Sequence, residues 1–115
     1  MNRQAMPVQT GKVIDYTNPG PDPIAVGDVV KLEGFCGVAE TDIAVGEMGV
    51  LAITEIWEVD SVSGAAFAVG DALYWDGTAK KATKTDTNNT PLGRCVAPKA
   101  SGGTRTRVKI GIWFG

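Results

Sequence analysis

A five-residue phrase returns three times along this chain: Ile-Ala-Val-Gly-Asp at 24–28, Ile-Ala-Val-Gly-Glu at 43–47 and Phe-Ala-Val-Gly-Asp at 67–71. In each copy a glycine, which tolerates positive φ, precedes an acid able to hydrogen-bond nearby backbone. The phrase therefore predicts a tight turn feeding a strand. The residues after each copy agree: Val29 to Leu32 (VVKL), Gly49 to Ile53 (GVLAI) and Ala72 to Trp75 (ALYW) are short, rich in β-branched or aromatic residues, and bounded by turn formers. The copies are unevenly spaced and each is too small for a solenoid or propeller unit, so they read as recurrent turn chemistry in one barrel.

The rest of the chain keeps this rhythm. Lys12 to Tyr16 (KVIDY) is a strand candidate, and the Pro- and Gly-dense Asn18 to Pro23 (NPGPDP) blocks helix and forces a loop. Glu55 to Val59 (EIWEV) continues or follows the second of the strands above. Asp76-Gly77 is a turn signal, and the polar Thr78 to Thr90 predicts a hairpin and exposed loop. Leu92 to Ala97 (LGRCVA) resumes strand character, and Ser101-Gly102-Gly103 predicts a hairpin turn. The last strand alternates most clearly: Val108, Ile110, Ile112 and Phe114 fall on one face, Arg105, Arg107, Lys109 and Trp113 on the other. No segment has a helical period of useful length, although Ala65 to Val69 has room for one turn. Fifteen glycines and six prolines spread along 115 residues fit frequent turns. The expectation is an all-β fold: a small single-domain β-barrel or sandwich of roughly seven to nine short strands over residues 10–115. Met1 to Gln9, without a clear period, reads as a flexible N-terminal arm.

Much chemistry is excluded by what the chain lacks. There is no histidine, which removes the commonest general base, the Ser-His and Cys-His nucleophile pairs and the imidazole metal ligand. Cys36 and Cys95 are far apart in sequence and have no CxxC spacing, so they read as small apolar core residues and not as a zinc site. No apolar leader is seen in Met1 to Val13, so reduced thiols in a cytoplasmic protein are expected. Neither the G-x-x-x-x-G-K-[ST] nucleotide loop nor G-x-G-x-x-G occurs. Glu40, Asp42, Glu55, Glu58 and Asp60 alternate with apolar residues or sit in turns, as solvated charges do. A net charge of -2 gives no general attraction to nucleic acid, and no apolar run is long enough to span a membrane as a helix. The chain reads as a non-enzyme with no cofactor, no metal and no small-molecule substrate.

Binding residues are easier to nominate. Trp57 and Trp75 read as core or core-flanking, whereas Trp113 lies on the polar face of the last strand, where an exposed Trp would act as an interface anchor. Arg105, Arg107 and Lys109 form a basic row on that face. It would either guard an edge strand by charge or meet an acidic neighbouring surface. In the N-terminal arm, Met6, Pro7 and Val8 are candidates to order on a partner by adding a strand to a sheet edge.

The order of features has a precedent. The glycine-acid turns are followed by GDALYWDGTAKKAT (Gly70 to Thr83), TPLGRCVAP (Thr90 to Pro98) and a closing RVKI (Arg107 to Ile110). This order resembles the phage capsid cement, or head decoration, family. Members have also been labelled a domain of unknown function or predicted RecA/RadA phage recombinases. The recombinase label conflicts with the missing nucleotide loop. The resemblance covers nearly the whole chain after the arm; the Asn18 to Pro23 loop and the closing Ile112-Trp113-Phe114-Gly115 depart from the pattern. It implies a small homotrimeric β protein on the outer capsid surface of a virion, made in the host bacterial cytoplasm. Its partner would be the major capsid protein, with no nucleic acid or membrane involved. The alternatives are another phage virion structural module, head-tail or tail, and a DNA recombination accessory protein.

Overall fold

The computed structural model describes residues 12–111. Among them there are nine strands and no helix: β1 (Val13–Thr17), β2 (Val29–Lys31), β3 (Cys36–Ala39), β4 (Met48–Ala52), β5 (Ile56–Asp60), β6 (Ala72–Asp76), β7 (Lys81–Thr83), β8 (Thr90–Cys95) and β9 (Arg105–Ile110). They build two antiparallel sheets, ordered β1-β4-β3-β2 and β5-β9-β8-β6-β7. One parallel bridge, Ser61 to Ala82, links the end of β5 to β7. No ladder follows it, so the second sheet curls without closing, and the all-β fold resolves as a sandwich. The N-terminal arm, Ile112, Trp113 and Phe114 lie outside the described residues.

All strands except β3 and β7 fall where the sequence places strands. β7 forms within the predicted hairpin, across the turn from β6. Ala65 to Val69 makes no helical turn, because Phe67 is held extended by a reciprocal pair of backbone hydrogen bonds with Lys99 (3.0 and 2.9 Å).

The three repeated phrases share one geometry. The acid's N–H donates to the alanine C=O in every copy: Asp28 to Ala25 (3.0 Å), Glu47 to Ala44 (3.0 Å) and Asp71 to Ala68 (3.1 Å). Gly27, Gly46 and Gly70 sit at φ of 90°, 84° and 96°. A positive φ at the third position and this closing bond define a type II turn, where a side chain in place of glycine would be strained. In the first and third copies the carboxylate also accepts the alanine N–H, at Asp28 (3.0 Å) and Asp71 (2.8 Å). The first two turns are tied back to back, since Ile24 and Ile43 exchange N–H to C=O bonds of 2.9 and 2.8 Å. Asn18, buried, extends the knot. Its amide donates to the carbonyls of Asp22 (2.9 Å) and Ile43 (3.1 Å), and its side-chain oxygen accepts the Gly20 N–H (2.8 Å).

Asp71 offers a pH test of this chemistry. The Ala68 N–H, and then the Lys84 ammonium 3.4 Å away, favour the carboxylate and hold the Asp71 carboxyl below its ordinary 3.8. A carboxyl lowered on folding stabilises the fold above its unfolded value, and that contribution is lost as pH falls through the lowered one. Replacing Asp71 with Asn keeps an acceptor but removes the titration. The wild type should therefore lose more thermal stability than Asp71→Asn between pH 5 and pH 2; parallel losses in calorimetry would contradict the assignment.

Two cores sit on either side of β3. The larger gathers Val59, Leu73, Trp75, Leu92, Cys95, Val108 and Ile110 from the second sheet and Phe67 from the segment between β5 and β6, with Cys36 and Val38 from β3. Trp57 packs against it, and its indole N–H donates to the Thr54 carbonyl (3.0 Å). The smaller contains Val30, Ala39, Ile43 and Leu51. Both cysteines are free thiols packed among apolar side chains, and burial pushes the Cys36 thiol up to about 12 despite the opposing charge of Lys31.

One buried cation has a place of its own. Lys99, 6% exposed, points its ammonium at the carbonyls of Val62 (3.0 Å), Ala65 (2.6 Å), Gly103 (3.0 Å) and Ala100 (3.3 Å). The same nitrogen lies 4.6 Å from the centre of the Phe67 ring, within reach of its negative face.

Candidate functional site

The basic row nominated from the sequence is real but differently placed. β9 lies between β5 and β8, so Arg105, Arg107 and Lys109 stand on the outer face of an interior strand. The edge-strand reading is thereby corrected. Alternation along β9 buries Thr106, Val108 and Ile110 and exposes the three basic residues. The sequence showed this alternation but not which strands would pair with β9, because pairing is set by contacts distant in sequence.

Register brings acids beside the bases. Glu58 lies opposite Arg107 and Asp60 opposite Arg105. Arg105 reaches both acids, at 3.1 Å from Glu58 and 3.0 Å from Asp60, and Arg107 approaches Glu58 at 3.7 Å. These side chains are about half exposed, so such pairs contribute roughly 0.2–1 kcal/mol each and mainly fix side-chain positions. At the other end Lys109 lies opposite Ile56 on β5 and Arg94 on β8. Among the described residues Lys109 has no ion-pair partner. The face thus runs from a balanced charge cluster to a basic end bordered by an exposed isoleucine.

The sequence reading missed a second set of surface residues. Val26, Val45 and Val69, the second residues of the three type II turns, are all exposed, as are Met48 and Ile56. The turn explains the valines: its corner side chain points out of the fold. The repeated Ala-Val-Gly was itself the signal, had its corner position been considered separately from the apolar residue that opens each phrase.

Trp113 and the arm residues Met6, Pro7 and Val8 lie outside the described residues. Among the described residues no group of three or more Cys, Asp or Glu is placed to hold a metal ion. What this surface offers is fixed charge, apolar corners and backbone edges, the components of a protein contact.

Comparison with curated proteins found no match, and neither did comparison with solved structures. Comparison with protein-family models matched residues 8–110 to the phage cement protein family. The match spans all nine strands and takes in the stretches Gly70 to Thr83, Thr90 to Pro98 and Arg107 to Ile110. With that coverage joined to an all-β sandwich, this chain belongs to the phage cement protein family, a family of phage structural proteins.

Proposed function

We propose that the chain is a non-enzymatic capsid cement protein that binds the assembled head lattice and stabilises it. The observation that supports this most directly is the family match along residues 8–110. In this reading residues 10–115 act as one domain on the outer surface of the virion, and residues 1–9 as an arm. The partner is the major capsid protein, and the working form is a homotrimer made in the host bacterial cytoplasm. Met6, Pro7, Val8, Arg105, Arg107, Lys109 and Trp113 supply contacts to the capsid or to neighbouring subunits.

Such a protein needs only binding energy. Packed DNA pushes outward on the joints of the shell, and a ligand that binds the expanded lattice but not its dissociated subunits stabilises the lattice by mass action. A symmetric oligomer touches several equivalent lattice sites, so weak contacts combine through effective concentration.

The test is co-sedimentation of purified protein with expanded and unexpanded heads. Preferential recovery with expanded heads is expected, and recovery with neither would sink the proposal. Reversing the basic end with Lys109→Glu should weaken recovery about tenfold or more while leaving the fold intact, because the exposed lysine makes no ion pair among the described residues. Unchanged recovery would remove the basic face from the contact.

A further inference from the structure

We propose that the outer edge of β5, at Ile56 and Glu58, accepts residues 4–8 of a second copy of this chain as an added antiparallel strand. The inference rests on the reading above only in taking copies to lie side by side.

The edge is defined by hydrogen-bond direction. The Ile110 N–H donates to the Glu55 carbonyl (3.1 Å) and the Ser61 N–H to the Thr104 carbonyl (2.9 Å). Alternation then turns the odd-numbered residues of β5 toward β9 and the even-numbered ones away from it. On that far side Val62 N–H donates to the Ala82 carbonyl (3.0 Å), where β7 meets the end of β5. The ladder does not continue back along β5, so the N–H groups of Ile56 and Glu58 and the Ile56 carbonyl face outward. The Glu58 carbonyl is touched by the Arg105 guanidinium (3.3 Å). Ile56 is 59% exposed. Edge strands are usually blunted by charged side chains, proline or a cover; over Ile56–Asp60 this one carries no lysine or proline, and its charges are the acids Glu58 and Asp60.

Charge and covalent geometry favour one occupant. The β5 segment carries Glu55, Glu58 and Asp60, whereas residues 1–11 include Arg3 and no acid. Proline lacks an N–H and is tolerated in an added strand only where that position faces away from the ladder. With Pro7 facing away, Met6 and Val8 carry the bonding groups, opposite Glu58 and Ile56. A second copy fits better than the chain's own segment. Lys12 is hydrogen-bonded through its carbonyl to Ile53 (3.0 Å), on the line of β4. Glu55, at φ 82°, then turns the chain into the other sheet. At Lys12 the described chain is thus tied to the line of β4, in the other sheet from the β5 edge.

Directly opposed antiparallel residues suit a disulfide, so the test uses cysteine trapping. A Val8→Cys chain is mixed with a mass-tagged Ile56→Cys chain, free in solution and on heads, under mild oxidation. An interchain cross-link about tenfold or more above that of Val8→Cys with Thr87→Cys, on the exposed loop, is expected. A doubly substituted Val8→Cys/Ile56→Cys chain should link to other copies. No cross-link above the Thr87→Cys control in either setting, or links confined within single chains of the double variant, would overturn the proposal. Heads that recover wild-type protein while the cysteine chains fail to link would defeat this inference and leave the cement reading standing.

Discussion

Replacing Lys99 with methionine is expected to lower the stability of the fold by about 3 kcal/mol, because the carbonyls of Val62, Ala65 and Gly103 then lose the ammonium as donor, while that of Ala100 keeps the Gly103 N–H. Methionine nearly matches the length of the lysine stem, so the change isolates the ammonium from the packing of its methylenes. The carbonyls belong to two separate segments, Val62 to Ala65 and Ala100 to Gly103, which the ammonium joins alongside the backbone bond from the Gly64 N–H to the Ser101 carbonyl. Stability for a chain of this size is about 5–15 kcal/mol in all, so the melting temperature should fall by about 10 °C. Lys99→Arg should rescue little, since a planar guanidinium fork does not reproduce the compact arrangement of an ammonium. Calorimetry showing Lys99→Met within about 0.5 kcal/mol of the parent, the range of ordinary surface changes, would contradict the role assigned to this cage.

A comparable loss is expected when Gly93 gains a side chain. Gly93 pairs with Ile110 between β8 and β9, and a Cβ built there would run into the carbonyl of Lys109 and the Cα of Ile110. Both neighbours are backbone, so neither can rotate away, and the strands must part. Gly93→Val should cost about 3 kcal/mol or more, the upper end of overpacking penalties, and displace the urea midpoint accordingly. Gly102→Ala is the control: it lies in the turn before β9 with open space around it, and its midpoint should stay close to that of the parent. Equal midpoints for the Gly93 and Gly102 variants would show that the β8–β9 register is looser than the geometry requires.

The contrast between these glycines marks what was legible in the sequence. Turns announce themselves locally: Gly27, Gly46 and Gly70 each precede an acid and follow Ala-Val, and all three turned out as the phrase predicts. The alternation of β9 was equally plain. β3 was not, although it is buried at every position. A strand covered on both faces has no polar side to alternate with, and Cys-Gly-Val-Ala between Phe35 and Glu40 is too short to stand out. Lys99 was passed over because half of its environment, the carbonyls of Val62 and Ala65, lies 37 and 34 residues away in the chain. For the candidate site, the exposure of Arg105, Arg107 and Lys109 could be read directly. Their pairing with Glu58 and Asp60 depended on β5 lying beside β9, which residue patterns alone do not specify.

β3 also bears on how the molecule comes apart. Cys36 and Val38 point into one cluster of apolar side chains and Ala39 into the other, so this strand is a shared wall. Loosening the small cluster uncovers one side of that wall and frees the strand to withdraw from the large one. The same linkage runs in the opposite direction. Heat or mechanical strain on either half is therefore expected to reach the other, so calorimetry should record a single cooperative transition.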